Sequence, residues 1–440
     1  MKMIMISGGN SGSGKTLVSI GLLRALRNKG LNICGYKTGP DFIDRQFLEI
    51  ASGRRGGNLD FHLMGEEGVL NGIALGEGKY SIVEGAMGYF DGIYNTFENS
   101  SYDIARKLDI NTILVYRPKG EMFSTIPKIK GMVDFKESKI KGLILNGIRK
   151  DLYPMYKEKI EKYIDIKVLG FVENNEELEL DSQHLGLIQS GEIENIEEKL
   201  DRIASIVEEN ICINSLLELM KDIKLPSFKY RKKRDITVAI PLDKAFSFYY
   251  TENLQILEEI CNVVYFSPLE DNVLPVCDLL YIGGGYPEIY KEELSNNLSM
   301  INSIKKHIEK GGFTYGEGGG LMYLMGEIEG AKMCGIFKGS SIMTDRLQRF
   351  GYVNIEIKEE CLLGESGDIL SGHEFHRSIT NIEDKKLFNI SKPKSKRTWE
   401  CGYSYKNTLV GYPHIHFLGN KKALNNLLIK VEKGSGNFVY

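Results

Sequence analysis

The sequence predicts an α/β protein with two domains, each built on a parallel sheet that helices cover on both faces. Short apolar runs alternate with helix-length amphipathic segments through most of the chain. The length of 440 residues suits two to four domains. A second series of apolar runs begins directly after a basic segment near residue 230. These three observations favour two successive α/β domains.

The apolar runs give the expected strands in order. In the N-terminal half the predicted strands are 4–6, 80–83, 112–115 and 142–145, and 16–29 has a helical pattern. In the C-terminal half they are 236–240, 263–266 and 279–282. We predict domains at 1–222 and 235–440, joined by a basic linker at 223–234. A solvated linker is the favoured interpretation of its lysines and arginines, and a basic patch for an anionic substrate is the alternative.

Composition excludes several classes of protein. The 56 basic and 59 acidic residues nearly cancel, so no global field favours nucleic acid or an anionic membrane. No apolar run approaches the roughly 18 residues that a membrane span requires. The N-terminus has the pattern of a buried strand and lacks that of a signal peptide. The seven cysteines are scattered without a CxxC pair, which predicts reduced thiols and a cytoplasmic protein.

Residues 9–16, GNSGSGKT, fit the P-loop pattern G-x-x-x-x-G-K-[ST] between a predicted strand and a predicted helix. In such a loop, backbone N–H groups and the helix N-terminus hold phosphate oxygens. We expect Lys15 to reach the β- and γ-phosphates of ATP and Thr16 to ligate Mg²⁺. Asn146 ends a predicted strand and either contacts an adenine edge or caps the next helix. The loop residues assigned to the nucleotide are Gly9, Asn10, Gly12, Ser13, Gly14, Lys15 and Thr16.

Two acidic segments complete the predicted nucleotide site. Glu84 follows the strand at 80–83 and opens a glycine-rich stretch at 84–92, and a second acidic cluster lies at 37–44. Alone, these carboxylates would be solvated turn residues, but beside a P-loop they favour metal and substrate binding. The assignments are Lys37 and Asn146 for the cofactor, Asp41, Asp44, Glu84 and Asp91 for catalysis, and Thr16, Asp44 and Glu84 for the metal.

Residues 315–324, YGEGGGLMYL, predict a strand-to-helix turn of the nucleophile-elbow type. Such a turn presents one side chain, and here that position is Gly318, which has none. The glycines at 283–285 follow another predicted strand and could present backbone N–H groups to an oxyanion. His414 and His416 are two residues apart on a predicted strand, so we expect them to point the same way and either to serve a site.

A second histidine cluster, His373 and His376, flanks Glu374. A His-x-x-His pair with a carboxylate suggests a metal. No third ligand is visible at metal spacing, so a metal here is disfavoured.

These motifs resemble the cobyrinate a,c-diamide synthase family from end to end. The segments that carry the resemblance are 9–16, 37–44, 58–60, 84–92, 184–187, 245–250, 284–288, 343–348 and 373–378. They separate this family less well from the similar Ni-sirohydrochlorin a,c-diamide synthases. The resemblance implies an ATP-binding domain like that of dethiobiotin synthetase, followed by a class I glutamine amidotransferase domain of flavodoxin-like fold.

The resemblance also implies a mechanism. ATP and Mg²⁺ would phosphorylate a tetrapyrrole carboxylate, and ammonia would capture the acyl phosphate, first on one acetate and then on the other of the a and c pair. In the family a cysteine makes ammonia from glutamine through a thioester, with a histidine as base, here His414. Gly318 replaces that cysteine, which closes the thioester route. Two further departures are Gln183, usually arginine, and 240–246, IPLDKAF, where the family commonly has Ala-Arg-Asp-Glu-Ala-Phe.

Three hypotheses therefore remain open from the sequence. The chain is an ATP-dependent tetrapyrrole amidase that takes free ammonia or an external donor, a ligase for another carboxylate, or a nucleotide- or tetrapyrrole-binding module without activity. A glycine introduced at 318 to trap substrate would look the same in the sequence as a natural one. A homodimer also stays open.

Overall fold

Two sheets built mainly of parallel strands organise the chain, as the alternating apolar runs predict. The computed structural model describes residues 1–174, 195–228 and 233–434. These residues form two units, one of residues 1–61 and 66–228 and the other of residues 62–65 and 233–434.

The first unit is a parallel sheet with helices between its strands. Its strands are β1 Lys2–Gly8, β2 Ile33–Thr38, β3 Gly57–Leu59, β4 Tyr80–Glu84, β5 Thr112–Tyr116, β6 Ile140–Asn146, β7 Lys167–Val172 and β8 Lys221–Asp222. Its helices are α1 Lys15–Asn28, α2 Ile43–Ser52, α3 Phe61–Leu75, interrupted at Gly65, α4 Ser101–Lys107, α5 Thr125–Asp134, α6 Tyr153–Tyr163, α7 Ile196–Asn210 and α8 Ile213–Leu219. Among the described residues the parallel strand order is β3-β2-β4-β1-β5-β6-β7, and β8 pairs antiparallel beside β1.

Burial explains why the apolar runs predicted this sheet. The side chains of β1 from Met3 to Ile6 are fully buried, because a parallel strand covered on both faces has no solvent side. Helix α1 packs against α7 at Gly21, where a β-carbon would lie 2.6 Å from Val207 Cγ2. Arg24 of α1 reinforces this contact with a bidentate ion pair to Asp201. The nucleotide loop thus begins and ends on rigid elements.

The second unit combines a parallel sheet with smaller sheets. Its strands are β9 Thr237–Pro241, β10 Phe246–Phe248, β11 Asn262–Phe266, β12 Leu279–Ile282, β13 Gly284–Gly285, β14 Phe313–Glu317, β15 Met325–Ile328, β16 Ala331–Lys332, β17 Phe337–Met343, β18 Arg349–Ile357, β19 Ile369–His376, β20 Ser378–Asn381, β21 Phe388–Ser391, β22 Thr398–Cys401, β23 Tyr403–Tyr405, β24 Thr408–Gly411 and β25 His414–Ile415. Its helices are α9 Thr251–Ile260, α10 Lys291–Asn296, α11 Leu298–Glu309, α12 Gly319–Leu324 and α13 Lys421–Gly434.

The main sheet of this unit has the order β11-β9-β12-β14-β24-β23, parallel except for the edge strand β23. A five-stranded antiparallel sheet, β22-β21-β18-β19-β25, and a four-stranded mixed sheet, β16-β15-β17-β20, follow the elbow in sequence. The sequence did not predict these two sheets. Their strands are half-exposed, so they lack the continuous apolar runs of buried parallel strands.

Parts of the predicted pattern lie outside the described residues. They are Gln183, the segment 184–187 and residues 229–232 of the expected linker. Within the described part of the chain, no helix has both the length and the apolar character to cross a membrane.

Candidate active site

The loop at 9–14 has the backbone shape of a phosphate-binding loop. Gly12 and Gly14 have φ of 80° and 92°, a region that glycine enters without the steric penalty of a side chain. Helix α1 therefore starts at Lys15 directly after a left-handed turn. Lys15 Nζ donates to Asn10 O at 3.0 Å, so the ammonium folds back over the loop. Burial, and then the charge of Lys37, lower the pKa of Lys15.

Asn146 supports this loop from two strands away. Its Nδ2 donates to Ser13 O at 2.9 Å, and a β-carbon on Gly14 would overlap that amide. Helix α6 begins only at Tyr153, so Asn146 does not cap the next helix. The side chain instead fixes the carbonyl that precedes the last glycine of the loop.

We expect Asn146→Ala to raise the KM for ATP about tenfold, because one loop hydrogen bond is lost and the freed carbonyl can turn inward. Steady-state ADP release at varied ATP measures this. Asn174→Ala is the matched control, because the Asn174 side chain accepts from the exposed Arg117. An unchanged KM for ATP would show that the loop holds its shape without this amide.

The sheet register brings the predicted acidic residues beside the loop. Glu84 lies opposite Ile6 of β1 on one side and opposite Lys37 of β2 on the other. Thr16 Oγ1 donates to Glu84 Oε1 at 2.6 Å, and Lys37 Nζ donates to the same oxygen at 2.7 Å. Lys37 Nζ also reaches Asp44 Oδ2 at 2.5 Å. One buried lysine therefore joins both carboxylates assigned to the metal.

Two further predicted residues lie in the same cluster. Asp91 Oδ2 accepts from Gly88 N at 3.0 Å, and its charge acts on Lys15. Asp41 Oδ1 accepts the N–H groups of Ile43 and Asp44 at 3.0 and 2.9 Å, which shapes the turn into α2. Burial, and then the neighbouring Asp44, raise the pKa of Asp41 to about 6. Its role in catalysis stays a prediction.

Glu84 and Lys37 stabilise each other's charge. Burial raises the pKa of Glu84, whereas Lys37 acts to lower it. Burial acts to lower the pKa of Lys37, but Glu84 and Asp44 outweigh it, so the net shift is upward. The pair is fully buried, and removal of either partner would leave an uncompensated charge.

The oxygen atoms here fit a magnesium ion. Glu84 Oε2 is buried and has no hydrogen-bond partner within the described part of the chain, and the Thr16 hydroxyl lies beside Oε1. Mg²⁺ in nucleotide sites usually takes one or two carboxylates, phosphate oxygens and water. Among residues 1–174, 195–228 and 233–434, no three His, Cys, Asp or Glu side chains form a metal-binding group. A magnesium site of this kind needs no such group.

The predicted strand-to-helix turn in the second unit has the geometry of a nucleophile elbow. Strand β14 ends at Glu317, α12 begins at Gly319, and Gly318 between them has φ 52° and ψ −106°. A β-carbon built on Gly318 would lie 2.7 Å from Nε2 of His414. A side chain at position 318 would therefore point toward His414, the predicted base, but Gly318 carries no nucleophile.

Glu317 completes this site, and the sequence did not reveal it. His414 Nδ1 lies 3.3 Å from Glu317 Oε2, in the arrangement of a carboxylate that orients a catalytic histidine. The same carboxylate accepts from Tyr315 and Tyr281 hydroxyls and from the N–H of Ile415, so its position is fixed. Glu317 is 97 residues from His414 in sequence. The only sequence feature that could have indicated its role was its position next to Gly318.

Of the three other histidines considered in the sequence, only His373 lies beside His414. Strand β25 ends at Ile415, and His416 Nε2 lies instead 3.4 Å from Glu252 Oε2, so the expectation that His414 and His416 share one direction is wrong. His376 stacks on Tyr412 with ring centroids 3.7 Å apart. His373 pairs with His414 across β19 and β25; burial, and then the charge of His414, lower the pKa of His373 to about 3.

The glycine stretch at 283–285 lies against the elbow, and its role in binding an oxyanion stays a prediction. Gly320 N donates to Gly283 O at 3.0 Å, and a β-carbon on Gly319 would lie 3.2 Å from Gly285 N. Neither of the two cysteines nearest to Gly318 in sequence has the exposed, low-pKa thiol that a nucleophile requires. Cys277 and Cys334 are buried, and burial raises the pKa of both, that of Cys277 to about 12.

A P-loop with an acidic cluster in one unit, and an elbow with a histidine–carboxylate pair in the other, define an ATP-dependent enzyme of the amidotransferase class. Residues 4–188 match the family model of the CobQ/CobB/MinD/ParA nucleotide binding domain, and residues 237–422 match that of the CobB/CobQ-like glutamine amidotransferase domain. With relatives 40–42% identical over nearly its whole length, the chain belongs to the cobyrinate a,c-diamide synthase family.

Full-length relatives carry that assignment. The cobyrinate a,c-diamide synthases of Clostridium acetobutylicum and Clostridium tetani are each 42% identical, over 97% and 98% of this chain and all of theirs. That of Fusobacterium nucleatum is 40% identical over 97% of this chain and all of its own length. Both halves of the chain are thus covered in one alignment.

Proposed function

We propose that this protein amidates the a and c carboxylates of cobyrinate with ATP and takes its nitrogen as free ammonia. The observation that carries the proposal is the contrast between its two sites. The nucleotide site holds its lysine, hydroxyl and carboxylates in bonding contact, whereas the elbow has Gly318 in place of a nucleophile. The family membership and the relatives' names support cobyrinate as the acid.

In the nucleotide site, the loop at 9–14 would hold the phosphates of ATP through backbone N–H groups. Lys15 would leave Asn10 and contact the transferred phosphoryl group as charge builds on it. Thr16, Asp44 and Glu84 would hold Mg²⁺, which neutralises negative charge on phosphate oxygens. Lys37 keeps two of these carboxylates charged and in place. A substrate carboxylate would attack the γ-phosphorus of ATP and release ADP. Ammonia would then attack the carbonyl carbon of the acyl phosphate, inorganic phosphate would leave, and the nitrogen would lose a proton to give the amide.

In the elbow site, His414 and Glu317 remain without a group to activate. Removing the nucleophile of such a set reduces kcat by about 10⁶-fold. Glutamine would therefore not supply nitrogen at a useful rate, even if it bound.

The direct test compares nitrogen donors at saturating ATP, Mg²⁺ and cobyrinate. We expect ADP release and diamide formation with ammonium chloride, and only background rates with glutamine freed of ammonia. Equal turnover with both donors would contradict the assignment of the donor. An absence of turnover with ammonium would contradict the function itself.

We expect Lys15→Ala to reduce cobyrinate-stimulated ADP release by about 10²–10³-fold, because the positive group that stabilises the transferred phosphoryl is lost. The matched control is Lys29→Ala, since Lys29 is a half-exposed lysine at the end of the same helix and pairs with Glu208. A Lys15→Ala enzyme of normal rate would point to a phosphate site elsewhere.

A further inference from the structure

The segment 58–60 carries part of the family resemblance and has no role in either site described above. It forms the end of β3 and the first residue after that strand, and both Asn58 and Asp60 are fully buried. Buried polar side chains are almost always hydrogen-bonded, so their partners indicate what they hold in place.

The side-chain amide of Asn58 joins the two carbonyl groups on either side of Pro40. Its Nδ2 donates to Gly39 O at 2.8 Å and to Asp41 O at 3.0 Å. A primary amide has two N–H groups, so one nitrogen can serve both carbonyls. Pro40 itself has no N–H with which to close the turn through its own backbone. Asn58 therefore closes this turn from the neighbouring strand.

The turn that Asn58 closes leads directly to the predicted acidic residues. Asp41 Oδ1 accepts the N–H groups of Ile43 and Asp44, so the backbone of the turn sets where α2 begins. Asp44 Oδ2 accepts from Lys37 Nζ at 2.5 Å. Asn58 and Lys37 are register partners on β3 and β2. Asp44 is thus held by Lys37 at its carboxylate and by Asn58 through the backbone of the turn.

The same segment also holds the loop that connects β4 to α4 and contains Asp91. Asp60 Oδ1 accepts from Asn99 Nδ2 at 2.9 Å, and Phe61 N donates to Asn99 Oδ1 at 2.8 Å. Asn99 lies at the end of this loop, directly before the N-cap of α4. The end of β3 is therefore attached to both chain segments that carry acidic residues of the nucleotide site.

We propose that Asn58 is a positioning residue for the nucleotide site: its amide fixes the turn that places Asp44 for Mg²⁺. This inference rests on the proposed function, which assigns ATP and Mg²⁺ to this site. Residues that orient a metal ligand without touching the metal change metal affinity by about 10–100-fold when they are removed. Lys37 holds only the carboxylate of Asp44, so loss of Asn58 would release the backbone that carries it.

The test measures binding of a non-hydrolysable ATP analogue to the full-length protein by calorimetry, with Mg²⁺ and with EDTA. The dissociation constant in EDTA divided by that in Mg²⁺ gives the metal-dependent gain in affinity. In Asn58→Ala this gain should fall about tenfold, because Asp44 is no longer held in place. The affinity in EDTA should equal that of the parent, because it depends on the loop at 9–14.

Asn111→Ala is the matched control. Asn111 Nδ2 donates to Leu219 O at 2.9 Å, so this variant loses a bond of the same kind at another place in the first unit. It should leave the metal-dependent gain unchanged. In ammonium-dependent ADP release, Asn58→Ala should need about tenfold more free Mg²⁺ for its half-maximal rate and reach the kcat of the parent, whereas Asn111→Ala should match the parent in both.

Pro40→Ala loosens the same turn without removing the buried amide, and it decides the question if Asn58→Ala does not fold. Proline restricts the backbone of a turn, so alanine should reduce the metal-dependent gain about threefold. The affinity in EDTA should again equal that of the parent.

An unchanged metal-dependent gain in folded Asn58→Ala, or in Pro40→Ala if the first variant does not fold, would overturn this inference and leave the proposed function standing. Equal weakening with Mg²⁺ and with EDTA would also overturn it, because Asn58 would then act on the phosphate loop. A parent protein that binds the analogue but releases no ADP with cobyrinate and ammonium would contradict the proposed function and leave this inference to the binding measurements. A parent that does not bind the analogue would overturn both proposals.

Discussion

Replacing Gly318 with cysteine is expected to give the protein glutamine-dependent amidation, with a glutaminase rate at least about 10³-fold above the parent. In triad enzymes the loss of the nucleophile reduces kcat by about 10⁶-fold, so the rate gained by restoring it should not exceed that factor. The rest of the site is present: Glu317 fixes His414, and Nε2 of His414 faces position 318. Glutamine hydrolysis measured as glutamate release, with and without ATP and cobyrinate, gives the result.

The increase in glutaminase rate should be smaller than this factor for two structural reasons. A β-carbon at 318 would lie 2.7 and 3.0 Å from Nε2 and Cε1 of His414, so the imidazole must shift by several tenths of an ångström. The backbone at 318 also has a positive φ of 52°, which strains any residue with a side chain. Elbow nucleophiles are held in strained turns of this kind, so the strain lowers stability without preventing function.

Gly318→Ala is the control, because it has the same backbone strain and the same β-carbon contact but no thiol. It should match Gly318→Cys in thermal stability and the parent in glutaminase rate. Adding His414→Asn to Gly318→Cys should abolish the gain. If Gly318→Cys folds like the alanine variant and shows no glutaminase activity, the shell around the elbow has lost more than its nucleophile.

The strands of both parallel sheets were predictable because each is a local apolar run. The pattern at 4–6, 80–83, 112–115 and 142–145 lies within β1, β4, β5 and β6, and 279–282 coincides with β12. Helix α1 starts and ends one residue earlier than predicted. Such patterns need no knowledge of what packs against them. The half-exposed strands after the elbow lack that local signal.

The chemistry of the sites was predictable only where one segment contains it. The P-loop is a single run of residues, and its geometry follows from its glycines. The bond between Lys37 and Glu84, and that between Glu317 and His414, join residues 47 and 97 positions apart. Neither partner signals the other in sequence, because the pairing depends on strand order. The register of β2 beside β4 places Lys37 next to Glu84, and the elbow places Glu317 next to His414.

The buried ion pair between Lys37 and Glu84 is expected to have a large effect on stability. Lys37→Met should destabilise the first unit by about 3 kcal/mol, because the fully buried Glu84 would lose the bonded cation that compensates its charge. Methionine fills a similar volume, so the loss measures charge compensation more than packing. Hydrogen exchange of amides in β2 and β4 of the full-length protein should quicken about 100-fold, the equivalent of that free energy.

Lys29→Met is the matched control, because Lys29 lies at the end of α1 and pairs with Glu208 at the surface. A surface ion pair contributes about 0–1 kcal/mol, so its exchange rates should hardly change. Unchanged exchange in Lys37→Met would show that the carboxylates tolerate burial without this lysine.

The pH dependence of the Lys37→Met variant distinguishes lost charge compensation from lost packing. Burial raises the pKa of Glu84 above its ordinary value of 4.5, and the variant loses Lys37, the largest of the contributions that act against this shift. A carboxyl group with a raised folded-state pKa binds more protons folded than unfolded between its two pKa values, so stability increases as the pH falls through the folded-state pKa toward the unfolded-state pKa. The variant should therefore regain part of its lost protection from hydrogen exchange as the pH is lowered from 7 toward the ordinary pKa of a carboxyl group. A packing defect would persist unchanged over the same interval, because no proton is involved in it.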